Sequence, residues 1–402
     1  MKKQLIIILF LSFIQGIIHN FGHPVTPALV TSLQIPNYMF GVFFASMSLG
    51  LMIGSPLWGF LGDLGNKKLY ITLGLILYSV GQAAFAYVGN MYWMIFFRFL
   101  SGFGVSASMT LLLSYVIDIS DKKDRAKHLA FLAALITLGA SIGYGIGGFL
   151  TENNFFVTYF GTSDLRRVFL IQAILNLFYT LLVILLIKGM NQKNLDFKKP
   201  KIRPNFKGIK SMNSTLLLFL ISLSFISIGS INLSKYIDVY FNELGYTPSQ
   251  LGTFVMVTGF VSVVSSILIV PLIVKLKHEL VVITIIQILS VIIILFVFRQ
   301  VKFLFYVYTV FMLYVILKAI YQPYEQNFIS SFAKEGATAS IMGVRQAFLS
   351  IGMIIGPLLG GFLYEIKPLL VFDVSAGMFF IGFVLLLYIL IKQKSKKAVS
   401  NI

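Results

Sequence analysis

Apolar residues in this chain run in long unbroken blocks rather than in the alternating or one-sided patterns of soluble strands and helices. Blocks of about 20 apolar residues, the length an α-helix needs to cross a bilayer, lie at 5–27, 38–61, 69–88, 92–116, 129–150, 168–187, 215–238, 251–274, 280–298, 303–330, 340–364 and 370–391. Six blocks precede and six follow a polar stretch at 188–214. The pattern predicts an all-α membrane protein of twelve transmembrane helices in two pseudo-symmetric six-helix bundles, 1–187 and 215–402, joined by a basic linker at 188–214. The opening Met-Lys-Lys and the apolar run after it imitate a secretion signal. No small-residue cleavage site follows, and the run continues into Gln15, His19 and Asn20, so it is expected to be retained as the first helix.

A repeat supports the two-bundle reading. Gly139, Gly143, Gly147 and Gly148 in the fifth block recur as Gly352, Gly356, Gly360 and Gly361 in the eleventh, an offset of 352 − 139 = 213 residues, each followed by Phe-Leu. Glycines four apart share one helix face and let another helix approach to backbone distance, which is how helices pack in lipid. One such helix per half points to an internal duplication.

Composition and charge narrow the class further. The chain is 58% hydrophobic and 11% charged, so lipid must serve as solvent for most of it. Its net charge of +18 would point to nucleic acid in a soluble protein. Placed on the predicted spans, however, 23 of the 32 Lys and Arg fall in segments on one side, 5 on the other, and Arg98, Lys235, Lys318 and Arg345 inside helices. By the positive-inside rule both termini and the linker are cytoplasmic, in a cell-membrane protein. The charge is then a topology signal and a match to anionic lipid, with no nucleic-acid partner. There is no cysteine, hence no disulfide, thiolate metal site or cysteine nucleophile. No zinc-protease, carboxylate-pair or phosphate-loop motif occurs. The expectation is not an enzyme: no cofactor, no metal, and work driven by an ion gradient.

Three motifs carry more specific chemistry. Between the second and third blocks stands Gly59-Phe60-Leu61-Gly62-Asp63-Leu64-Gly65-Asn66-Lys67-Lys68. Asp63 ends an apolar run and needs a partner there. The fourth block holds Arg98 followed by Ser101, Gly102 and Gly104. The third motif is the Gly139 repeat. Together they resemble the major facilitator superfamily of transporters, and within it the bacterial drug–proton antiporter branch. In Gly59–Lys68 the family's glycine three after the aspartate is Asn66, and lysines replace its arginines. At Gly139 the family's proline is Tyr144, whereas the eleventh block keeps Pro357. The resemblance implies that Gly59, Asp63, Lys67 and Lys68 gate the cytoplasmic side, with Asp118 at the end of the fourth helix as the acid that meets a basic residue. It implies a link between Arg98 and proton transfer, and packing and hinging at the glycines.

Polar residues inside the spans mark a candidate cavity, since buried polar groups in lipid are costly and tend to be functional. Gln15, His19 and His23 share one face of the first helix. Tyr314, Lys318, Tyr321, Gln322 and Glu325 share one face of the tenth, and Lys235 and Asp238 are spaced for a local ion pair on the seventh. These lie mostly on helices 1, 4, 7 and 10, the cavity liners that the resemblance implies. Glu325 lies about 10 Å along its helix from Lys318, seven residues at 1.5 Å each. Arg345, at similar depth on the eleventh helix, could face it. Burial and a paired cation act in opposite senses on a carboxyl's proton affinity. A carboxyl held between them can change state when the cavity switches sides or when a cationic substrate arrives. Glu325 is therefore the first candidate for proton coupling, ahead of Asp238, His19 and Arg98. The function expected is proton-coupled efflux of hydrophobic or drug-like small molecules by a monomer, an antiporter of the multidrug-resistance kind. The alternatives are an exporter or flippase of a native lipid or sugar conjugate, and a membrane protein that only binds or signals.

Overall fold

A computed structural model describes residues 2–36, 38–64, 66–121, 124–188, 213–273, 278–332 and 338–400. Every regular element among them is helical: α1 (Lys2–His19), α2 (Thr26–Ser32), α3 (Tyr38–Leu64), α4 (Lys67–Tyr87), α5 (Met91–Ile119), α6 (Arg125–Phe149), α7 (Asn154–Phe160), α8 (Arg166–Leu186), α9 (Ser214–Glu243), α10 (Pro248–Leu268), α11 (Val270–Ile273), α12 (Glu279–Val297), α13 (Phe303–Tyr308), α14 (Val310–Ser330), α15 (Thr338–Ile366) and α16 (Pro368–Ser400). Among the described residues, eleven helices are long and apolar enough to cross a membrane, and the apolar helix Lys3–His19 adds to them. The all-helical, membrane-spanning class read from hydropathy therefore holds.

Boundaries shift where the backbone chemistry demands it. The first block does not run through to residue 27. α1 stops at His19, and the chain turns before α2, where Pro24 and Pro27 have no N–H to give a continuing helix. The side chain of Thr26 closes this turn on Gly22 O at 2.6 Å. The tenth block breaks at Thr309 and the eighth at Ile269, just before Pro271. The loop after the fifth block carries the short helix α7, stopped by Gly161 at φ +61°, a left-handed cap that glycine adopts without a Cβ penalty.

By contacts the chain forms two compact units. Unit 1 holds Met1–Gln192, Lys235–Val263 and Pro357–Glu365; unit 2 holds Lys193–Ser234, Val264–Gly356 and Ile366–Ile402. Most of the linker at 188–214 lies outside the described residues.

In unit 1, α5 packs between α3 and α4, α1 lies on α6, and α4 lies on α8. Glycines make these crossings close. Gly102 faces the carbonyl of Met47 and Gly50 that of Phe99, with no room for a Cβ on either. On the α1–α6 seam, Gly139, Gly143 and Gly147 face the carbonyls of Phe13, Ile17 and Phe21 in turn, and Gly148 faces Pro248. The segment Pro357–Glu365 is held by Tyr236 Oη donating to Pro357 O at 2.9 Å, by Tyr364 donating to Glu243, and by the N–H of Tyr38 donating to Glu365 at 3.0 Å. Gly361 sits 2.8 Å, measured from an ideal Cβ, from Tyr38 O, and Gly360 is buried beside it.

In unit 2, α12 packs against α14 and α16. α15 lies along α9: Gly352 faces Ser227, Gly356 faces the Ile228 carbonyl, and Ser227 Oγ donates to Leu349 O at 2.9 Å. Phe298 and Phe372 stack at 3.7 Å between centroids. Large apolar side chains such as Ile285, Ile292 and Tyr388 stay exposed, as a surface facing lipid requires.

Candidate functional site

Unit 2 contains a cavity of about 210 Å³. α14 supplies Tyr314, Lys318, Tyr321, Gln322 and Glu325 to its wall, and α15 supplies Arg345. Their spacings of three and four residues turn them to one face of α14. Glu325 and Arg345 form a bidentate pair, Nε to Oε1 at 2.7 Å and Nη2 to Oε2 at 2.6 Å. Glu325 is only 1% exposed, so the guanidinium fork supplies the counter-charge that water would otherwise give it. The hydroxyl of Tyr321 and the Oε1 of Gln287 are buried without a hydrogen-bond partner. Gln287 and Ser290 reach the wall from α12, and Ser227 and Ser230 from α9. Sequence reasoning missed these four. Thr284, Gln287 and Ser290, polar steps of three inside an otherwise aliphatic helix, were the available signal.

The buried candidates in unit 1 do not line this cavity, and Arg98 and His19 are linked there through Gln82 and Tyr78. Arg98 lies on the Phe85 ring, 3.7 Å from its centroid, and 5.5 Å from that of Phe169. Its nitrogens donate to Thr26 Oγ1 at 3.2 Å and Gln82 Oε1 at 3.4 Å. No carboxylate of the described residues pairs with it. His19 meets Asn176 Oδ1 at 2.9 Å and the ring of Tyr78 at 4.3 Å. Gln15 donates to Ser108 Oγ at 2.7 Å. These contacts tie α1 to α4, α5 and α8 and occupy the face that the polar spacing singled out.

His23 lies between the rings of Phe44 and Tyr144, each 5.4 Å away. Lys235 places its ammonium 4.1 Å from the Phe44 centroid. Asp238, 1% exposed, accepts from the Tyr144 hydroxyl at 3.2 Å. Tyr144, the residue that stands where the glycine signature has proline, is thus the partner of a buried acid. Sequence spacing could not find a bond that joins residues 94 positions apart.

At the loop between α3 and α4, Lys67 is 3% exposed and bonded to Asp118, with Ser114 Oγ accepting a second bond at 2.7 Å. Gly59 has only Thr110 Cγ2 near it, and Lys68 is half-buried at the start of α4. The side chain of Asp63 and residue Gly65 lie outside the described residues. Among the described residues no group of three or more His, Asp or Glu is placed to hold a metal ion.

Apolar helices with glycine-faced crossings, and in unit 2 a mostly apolar cavity with a buried ion pair on its wall, define a polytopic helical membrane protein. The chain matches the Major Facilitator Superfamily over residues 5–348 and belongs to that family, one of transporters and not of enzymes. It is 26% identical over 354 residues to Multidrug resistance protein 1 of Bacillus subtilis (strain 168), covering 85% of each chain. It is 25% identical over 391 residues to Quinolone resistance protein NorA of Staphylococcus aureus (strain MSSA476), covering 96% of each. Among solved structures it resembles the nucleoside transporter NupG at a TM-score of 0.74 and 14% identity, covering 96% of this chain and 99% of that one. A bacterial homolog of the human lysosomal transporter Spinster, inward-facing, matches at 0.71 and 14%, covering 96% and 94%. These two likenesses carry the fold alone.

Proposed function

We propose that the chain is a proton-coupled exporter of hydrophobic, drug-like small molecules, working by alternating access as a monomer in the cell membrane. The bundles are 1–187 and 215–402, the linker 188–214 and both termini are cytoplasmic, and the basic segments rest on anionic lipid. The observation that carries the reading is the Glu325–Arg345 pair on the cavity wall. A carboxylate that is both buried and paired changes protonation when either condition changes, and a substrate or water entering the cavity changes both. The two resistance proteins among its relatives supply the substrate class. Lys67 bonded to Asp118, with Asp63 nearby in sequence, is the closed cytoplasmic gate; Asp238 with Tyr144, His19 and Arg98 are secondary sites for proton coupling.

The test is transport in proteoliposomes under an imposed pH gradient, with a fluorescent quinolone as probe. The probe should accumulate against its concentration gradient while the pH gradient lasts and leak back when a protonophore removes it. Uptake indifferent to the pH gradient would refute the reading.

A further inference from the structure

We propose that the cavity of unit 2 is an anion receptor: it takes a small amphipathic monoanion, a one- or two-ring aromatic carboxylate, with Lys318 as its counter-ion. The inference rests on the transport reading only in treating the cavity as a substrate site.

Charge comes first. Three ionisable acids and bases, Lys318, Glu325 and Arg345, line the cavity. Glu325 and Arg345 neutralise each other through two short hydrogen bonds. Lys318 is left over, with no carboxylate of the described residues within ion-pair distance and its side chain open to the void. An ammonium in the middle of an apolar helix is costly to keep unless something negative meets it there. A ligand carboxylate supplies that charge, and a cationic ligand meets repulsion in the same place.

The two unpaired buried groups beside this wall, the hydroxyl of Tyr321 and the Oε1 of Gln287, are closed off from the void, so the ammonium of Lys318 is the contact that gives the ligand its direction.

Shape sets the body of the ligand. Leu223, Ile226, Ile286 and Phe379 give the remaining wall an apolar face. A dry cavity of about 150 Å³ holds a benzene ring. At about 210 Å³ this one has room for a second fused ring.

The experiment measures equilibrium dialysis of three isosteric probes against the full chain in nanodiscs of neutral phosphatidylcholine: 2-naphthoate, 2-naphthamide and 2-naphthylmethylammonium. The wild-type protein should bind naphthoate at least tenfold more tightly than the amide, and the ammonium more weakly than either. Lys318→Gln should bring naphthoate and amide within about threefold, and Lys318→Arg should keep the preference. The proposal is overturned if the wild type binds none of the three, binds acid and amide alike, or prefers the ammonium, as a neutral lysine would allow. It is equally overturned if the preference survives in Lys318→Gln. The wild-type comparison decides even if the Gln variant fails to fold. Naphthoate bound through Lys318, with uptake of the quinolone probe indifferent to the pH gradient, would defeat the transport reading alone. Gradient-driven transport without a carboxylate preference would defeat this proposal alone.

Discussion

Removing the Asp118 carboxylate should destabilise the protein more than removing the whole Lys67–Asp118 pair. Lys67 is 3% exposed and Asp118 33%. Truncating one partner of a fully buried pair costs about 3–5 kcal/mol, because the other charge stays buried without compensation. Here Ser114 keeps its bond to the ammonium, and the Tyr115 ring lies 5.7 Å from it. A third of Asp118 is already open, so part of the pair's worth is screened. The expected loss for Asp118→Ala is therefore about 2 kcal/mol. Lys67→Met with Asp118→Ala removes the stranded charge and keeps the aliphatic packing, and should lie within about 1 kcal/mol of wild type. Reversible unfolding in mixed detergent and SDS, followed by circular dichroism, measures all three. Equal losses in the single and double variants would show that the ammonium is not stranded when its partner leaves, and the account of this contact would fail.

Other expectations follow from the same geometry. Gly102→Ala would drive a methyl into the Met47 carbonyl and should cost about 1–3 kcal/mol, whereas Gly377→Ala, with nothing within 4 Å, should be neutral or stabilising by up to about 1 kcal/mol; matching unfolding curves for the two would contradict the packing. Arg98→Lys gives up the stack on Phe85 and the bonds to Thr26 and Gln82, with an expected loss of about 1–2 kcal/mol, and an unchanged unfolding midpoint would count against it. The chain has no native thiol, so Lys199→Cys should label with an impermeant maleimide only after cells are opened, and Asn153→Cys before; the reverse pattern would invert the topology.

Much of this was legible in the sequence, because lipid imposes a simple rule: every spanning segment must satisfy its own backbone, so length and apolarity reveal the helices. The glycines at 139, 143, 147, 352 and 356 were readable as contact faces for the same reason, since spacing alone sets which side a missing side chain leaves open. The closeness of Glu325 and Arg345 followed from helical rise and chain direction. What could not be read was which neighbour each polar face meets. Gln15, His19 and His23 share a helix face, yet the structure gives them Ser108, Asn176 and the Phe44–Tyr144 rings as separate partners. The spacing of Lys235 and Asp238 suggests a local pair, and the charge of Lys235 does act on Asp238, but their contacts with the Phe44 ring and the Tyr144 hydroxyl come from helices far along the chain. The missed cavity residues share that cause: a lone Gln or Ser in an aliphatic helix becomes informative only when the helices around it are known.

Glu325 is the residue proposed to carry the proton that drives transport. The measurement is uptake of the quinolone probe into proteoliposomes under an imposed pH gradient, wild type against Glu325→Gln, with probe binding measured on the same preparations. The Gln variant should bind the probe and equilibrate it without concentrating it, and its binding should no longer change with pH. A Gln variant that still concentrates the probe against its gradient would mean that the proton is carried elsewhere and that the Glu325–Arg345 pair is a structural contact.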